Sequence, residues 1–191
     1  MPRAGLSTDV VVAEAARLVD LDGAGALTLR AVAESFGVAQ PSLYKHIGGL
    51  DDLHHRLAVM AARDLGTALR RAASGRATED GLRAVATAYR RYASAHPGCY
   101  GYLLRPRQDD DDHARAGAEI LEVVYDVLTG YGIVDDDLVD AARFLRSVMH
   151  GFVSLEAAGG FAMARSVDRS FDRALRALDA ALRDWATGPT G

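Results

Sequence analysis

Twenty residues constrain this chain more than any others: Thr28-Leu29-Arg30-Ala31-Val32-Ala33-Glu34-Ser35-Phe36-Gly37-Val38-Ala39-Gln40-Pro41-Ser42-Leu43-Tyr44-Lys45-His46-Ile47. Thr28 suits a helix N-cap, its hydroxyl accepting from the free amides of the first turn. Leu29, Val32 and Ala33 follow at helical spacing as a narrow apolar face. Gly37 stands where that helix must stop, because glycine takes a left-handed conformation there at little cost. Pro41 falls near the start of a second helix, where its missing amide does no harm. Val38 and Leu43 can pack back on the first helix, which leaves Gln40, Ser42, Tyr44, Lys45 and His46 outward. Two short helices around a tight turn make a helix-turn-helix, whose second helix fits a DNA major groove. Gln pairs with adenine, Ser bonds bases or phosphates, and Lys and Tyr reach phosphate oxygens. The same pattern also describes a helical hairpin with an ordinary polar face, and spacing alone leaves both readings open.

Residue identity goes further than spacing. Leu27-Thr28-Leu29-Arg30, then Phe36-Gly37-Val38, then Gln40-Pro41-Ser42-Leu43-Tyr44-Lys45-His46-Ile47 closely resemble the DNA-binding domain of TetR-type (tetracycline-repressor-like) transcription regulators. The resemblance implies an all-α protein of about nine helices. Residues 1–52 would form a three-helix helix-turn-helix domain, and residues 53–191 a helical ligand-binding and dimerisation bundle. It also implies a reading surface of Thr28, Arg30, Gln40, Pro41, Ser42, Tyr44, Lys45 and His46. The family usually carries a lysine just after the recognition helix. Gly48-Gly49-Leu50 stands there instead, so one phosphate contact is missing or replaced.

Charge is unusual for a DNA binder. The net charge is -4 over 191 residues, and Lys45 is the only lysine. Residues 1–65 hold six bases (Arg3, Arg17, Arg30, Lys45, Arg56, Arg63) against eight acids. The apolar fraction of 49% is enough for a substantial core. The single cysteine, Cys99, excludes an intrachain disulfide. No apolar run approaches the roughly 18 residues of a membrane span. Met1-Pro2-Arg3-Ala4-Gly5-Leu6 lacks the apolar core of a secretion signal, so a cytoplasmic protein is expected.

Helical periodicity organises the rest. A first helix starts at Ser7 or Thr8, with Val11, Ala15, Leu18 and Val19 as its stripe, after a loose arm carrying Arg3. Asp51 is expected to cap a long helix running to about Ala73. In TetR-type proteins that fourth helix couples the reading head to the ligand domain. His54 and His55 lack the i, i+4 spacing of a helical metal pair, and solvent or backbone contacts are expected of them. A further helix follows from Glu79 to about Ala95, and His96-Pro97-Gly98 breaks it. Cys99 to Leu104 reads as one helical turn before Pro106. Asp109-Asp110-Asp111-Asp112-His113 reads as a solvated cap for a helix from about Ala114 to Thr129. The last two helices run from Asp137 to Ala158 and from Asp168 to Trp185.

No catalytic motif, metal-ligand spacing or phosphate-cradling loop is present, so no enzyme activity, metal or cofactor is expected. Cys99 is expected to be an inert small hydrophobe. His96-Pro97-Gly98-Cys99-Tyr100 and Met149-His150-Gly151-Phe152-Val153-Ser154-Leu155-Glu156 resemble a TetR C-terminal type named for a Trp-His-Gly motif, with Met149 in place of the Trp. Residue type nominates Tyr89, Tyr92, Tyr100, Tyr102, Leu103, Tyr125, Phe144, Met149, His150 and Phe152 as lining a ligand pocket, or alternatively as simple core. Leu145, Val148, Phe152, Phe171, Leu175, Leu178, Leu182 and Trp185 are the candidates for a homodimer interface, since two wide apolar helix faces per subunit can build a four-helix bundle.

The expected function is a ligand-responsive DNA-binding regulator. Its partners would be a palindromic double-stranded DNA operator, a small-molecule effector that releases it, and a second copy of itself, with no membrane. A helical small-molecule-binding protein or enzyme with a vestigial helix-turn-helix is the alternative. One consequence is measurable. With so few cations, operator affinity should fall only shallowly between about 50 and 200 mM salt, where proteins with many cationic contacts lose roughly 10³–10⁵. A steep slope in a fluorescence-anisotropy titration would contradict this.

Overall fold

The computed structural model describes residues 5–104 and 111–187. The expected arm with Arg3, the residues Asp109 and Asp110 of the acidic run, and the tail from Gly188 lie outside them. Among the described residues the chain is all-α, with eight α-helices and two 3-10 segments. The helices are α1 (Thr8–Asp22), α2 (Leu29–Phe36), α3 (Leu50–Ala73), α4 (Thr78–Ala95), α5 (Pro97–Tyr102), α6 (Asp111–Gly130), α7 (Asp135–Ala157) and α8 (Val167–Thr187). None is long and apolar enough to cross a membrane.

Two compact units result: Met1–Arg63 with His96–Ala116, and Asp64–Ala95 with Gly117–Gly191. The first is the head. Val11, Ala15 and Val19 of α1, Val32 and Ala33 of α2, and Leu53 and Leu57 of α3 make one apolar core with Leu43 and Ile47. Each valine, leucine and isoleucine among them contributes roughly 1.5–3 kcal/mol on burial. Thr28 caps α2 as expected, accepting from the Ala31 amide at 3.0 Å. Gly37 takes the left-handed conformation at φ 64, and the Val38 amide reaches back to the Ala33 carbonyl at 3.0 Å.

Three local features differ from expectation. Gln40–Lys45 winds as a 3-10 segment instead of a full α-helix. Pro41 supplies no amide, and the segment closes through Ser42 N–H to Ala39 O and His46 N–H to Leu43 O, both three-residue bonds. Asp51 is not the cap of α3. The helix already begins at Leu50, and Asp52 reaches back to accept from the Gly48 amide at 2.7 Å. His96-Pro97-Gly98 does break α4, but Pro97 is also the first residue of α5, where its missing amide is harmless.

α5 belongs to the head although it follows α4 in sequence. It lies on α1 so closely that a Cβ at Gly98 would stand 2.0 Å from the Val19 carbonyl oxygen. Asp20 fixes the same junction, its carboxylate accepting from the Cys99 amide at 2.8 Å and meeting His96 Nδ1 at 2.9 Å. Cys99 is 2% exposed and part of the head core.

In the second unit α4, α7 and α8 pack on one another. Leu82, Val85 and Ala86 of α4 face inward, as do Leu145, Met149 and Val153 of α7 and Phe171, Leu175, Leu178 and Leu182 of α8. Arg90 of α4 ties the three together. It holds Glu156 of α7 through two hydrogen bonds, at 2.7 and 2.5 Å, and Asp168 of α8 at 2.8 Å, and lies 4.7 Å over the Phe171 ring. The Glu156 bonds, with Asp168 behind them, outweigh burial and hold the guanidinium pKa above its ordinary value.

Gly98→Ala should therefore cost the head on the order of 1–3 kcal/mol or more, since backbone must shift to admit the methyl group. Gly101→Ala, in the same helix with nothing within 4 Å, should leave urea-unfolding midpoints nearly unchanged. Equal midpoints for the two variants would contradict the close approach.

Candidate nucleic-acid interface

The candidate reading surface is built by what holds it from behind. Leu43 is 0% exposed and Ile47 3%, and both enter the head core. On so short a segment, burying those two side chains turns the rest outward. Gln40, Pro41, Tyr44 and Lys45 are exposed, and Ser42 and His46 are half-buried. Tyr44 stands 55% exposed, unusual for a tyrosine ring with no core to fill. The far end of the segment is pinned to α1 by Thr8, whose hydroxyl donates to the His46 carbonyl at 2.8 Å.

Thr28 and Arg30 lie exposed at the start of α2. The Thr28 oxygen is used in its cap, so the hydroxyl hydrogen remains for an outside acceptor. Arg30 is paired with Glu34 at 2.7 Å, which raises its pKa above the ordinary value. Both side chains are largely solvated, and a pair of that kind is exchanged cheaply. At the turn lacking the family lysine, Asp52 occupies the Gly48 amide and also receives both Arg56 contacts at 3.0 Å. Burial raises the Asp52 carboxyl, but those hydrogen bonds outweigh it and hold it below the usual carboxylate range.

The ten pocket nominees divide between the units. Tyr100, Tyr102 and Leu103 are in the head, where Tyr102 is 4% exposed and stacks on His54 with a 2.8 Å hydrogen bond. His54 thus engages a side chain, a contact that the expectation of solvent or backbone partners did not include. Tyr89, Tyr92, Tyr125, Phe144, Met149, His150 and Phe152 are in the second unit. Met149 is core, Phe144 meets Trp185, and Phe152 meets Phe161 and Phe171. His150 lies 3.3 Å from the Ser154 hydroxyl one turn on. Two open clefts, of about 510 and 330 Å³, flank α4 and share Thr87 and Arg91 in their linings. None of the ten nominees lines either cleft.

Among the interface nominees, Leu145, Phe171, Leu175, Leu178 and Leu182 are already buried within one chain. Val148, Phe152 and Trp185 remain half-buried. Sequence reasoning missed Asp20 and the Arg90–Glu156–Asp168 cluster. Their partners lie dozens of residues away, and no periodicity links them.

The family description "Tetracyclin repressor-like, C-terminal domain" matches residues 82–178, which does not name the Trp-His-Gly type. The chain is 36% identical to an uncharacterized helix-turn-helix-type transcriptional regulator, Rv0681 of Mycobacterium tuberculosis, over 82% of this chain and 72% of that protein. A solved protein of unknown function from Rhodococcus sp. RHA1 shares the fold, with TM-score 0.79, 23% identity and 97% of each chain covered. The Streptomyces coelicolor TetR family protein ActR, in complex with (S)-DNPA, shares it with TM-score 0.67 and 20% identity over 96% of this chain and all of that one.

Substitution separates the two sides of the segment. Gln40→Ala and Tyr44→Ala should weaken binding to a selected DNA site by roughly 1–3 kcal/mol each, with thermal melts unchanged. Leu43→Ala should instead destabilise the head by about 2–5 kcal/mol. Unchanged DNA affinity in both surface variants would mean that another face reads the DNA.

Proposed function

Because the chain belongs to the TetR family of transcriptional regulators, we propose that it is a homodimeric repressor released from a palindromic operator by a small-molecule effector. The observation that carries the DNA-reading part is the Gln40–Lys45 segment, with Leu43 and Ile47 sunk in the core and Gln40, Tyr44 and Lys45 presented to solvent. Thr28, Arg30, Pro41, Ser42 and His46 complete the surface. Gln40 suits an adenine edge; Tyr44, Lys45 and the Thr28 hydroxyl suit phosphate oxygens.

The dimer uses what α7 and α8 have not spent internally. On α7 the outward residues Phe144, Val148, Gly151 and Leu155 form a second, shallow apolar face, and Leu155 is 52% exposed. The same face of two copies would meet about a two-fold axis, as a palindrome requires. Ligand response draws support from ActR, which holds (S)-DNPA in the same fold. An effector releases DNA only if it binds the released conformation better than the reading one.

Selection from a random duplex pool by the full-length protein tests this reading. Recovery of a two-fold symmetric site, bound by two chains in analytical ultracentrifugation, is the expected result. Recovery of no sequence even at low salt would sink it.

A further inference from the structure

Thr87, Arg90, Arg91 and Ser94 fall three or four residues apart and share one side of α4. That side forms one wall of the smaller cleft, of about 330 Å³, and Asp168, Phe171 and Asp172 of α8 form the other. All of these residues belong to the second unit. The volume falls within the range of small-molecule sites, roughly 300–1,000 Å³.

Arg90 is the fixed point of the cleft. Its side chain is 19% exposed, with the Glu156 carboxylate taking Nε and Nη2 together and the Phe171 ring 4.7 Å away. The Asp168 contact is of another kind. It also falls on Nη2, at 2.8 Å, but Asp168 is 82% exposed. A carboxylate so fully solvated is held weakly. It also stands in the first turn of α8, where the helix dipole favours it without help from Arg90. Nη1 of Arg90 has no partner among the described residues, and neither the Arg91 guanidinium nor the Ser94 hydroxyl has one. Thr87 donates to the Arg83 carbonyl at 2.7 Å, and Asp172 is held by Arg83 at 2.9 Å, so neither draws on the two guanidinium groups.

We propose that this cleft is a binding site for a small organic carboxylate, which displaces Asp168 from Arg90, takes Arg91 and Ser94 as further donors, and rests its apolar part on Phe171. Asp168 shows that a carboxylate oxygen fits against Arg90 from this side. A single negative charge suits a cleft that also holds Asp172, which would repel a phosphate dianion more strongly. The site deepens the ligand-responsive reading above by giving the effector a chemical class, and rests on that reading only for the effect at DNA.

Benzoate is the probe, titrated into the full-length protein and followed by NMR of the backbone amides, with benzamide as its uncharged counterpart. Benzoate should shift the amides of Thr87 to Ser94 and of Asp168 to Asp172, with a Kd on the order of 1 mM or tighter. Benzamide should bind about 10-fold more weakly, since it lacks the charge that the guanidinium groups prefer. Arg91→Gln should weaken benzoate about 3- to 10-fold. Asp168→Asn should tighten it by a similar factor, because the competing carboxylate is gone, which a merely structural Asp168 does not predict. Both positions are exposed, so unfolding midpoints should hardly move. No shift at these amides up to about 10 mM benzoate, equal binding of benzamide, or no tightening in Asp168→Asn would overturn the site. Displacement of benzoate by equal inorganic phosphate would overturn the carboxylate class. Benzoate that fills the cleft but leaves affinity for the selected DNA unchanged supports the site and counts against ligand release; release by another compound with no binding at the cleft does the reverse.

Discussion

The hydrogen bond from the Cys99 amide to Asp20 spans 79 residues, and the head is built around the junction it closes. The Asp20 carboxylate of α1 satisfies one free amide of a helix that the chain reaches only after α3 and α4. Gly98 makes the junction possible, because any side chain there would collide with α1. Once α5 is docked, Cys99 and Tyr102 complete an apolar core that also takes Leu43 and Ile47 from the recognition segment. The outward set of that segment is therefore a consequence of packing on its inner side. No buried polar or charged residue occurs among the described residues, so specificity is left to the surface and to caps.

Local chemistry was readable from the sequence, and distant pairing was not. Thr28, Gly37 and Pro41 act within a turn or two of themselves, so their roles follow from residue type alone. The choice between Asp51 and Asp52 turned on one residue of helix start, which Gly49 at φ 138 decides and which side-chain identity does not reveal. Asp20 is an unremarkable acid near a helix end until α5 arrives. The stripe Phe171, Leu175, Leu178 and Leu182 announces burial, but helical spacing does not say against what, and the answer is the chain's own interior. Aromatic residues nominated together for one pocket were scattered for the same reason. Periodicity assigns a side chain to a face, and only the fold assigns the face to a neighbour.

Electrostatics divide the molecule differently from its packing. The proposed reading surface has little cationic support, and one of its two cations, Arg30, is already paired with Glu34. In the proposed DNA-reading role, amides, hydroxyls and the amide side chain of Gln40 would supply most of its contacts. Three exposed arginines, Arg169, Arg173 and Arg176, lie instead on α8, far along the sequence from the helix-turn-helix. In the proposed role, such a distribution would favour discrimination by geometry and symmetry over the bulk attraction that holds more basic proteins on any DNA.

Lys45 stands exposed at the end of the recognition segment and is the only lysine in the chain. Apart from the α-amino group, it is therefore the single target for amine-directed chemistry. Acylation at that position would neutralise one of very few positive charges on the proposed reading face while leaving the buried Leu43 anchor untouched. A modification that scatters over many sites in an ordinary protein is confined here, the α-amino group aside, to Nζ of Lys45, on the surface proposed to read DNA.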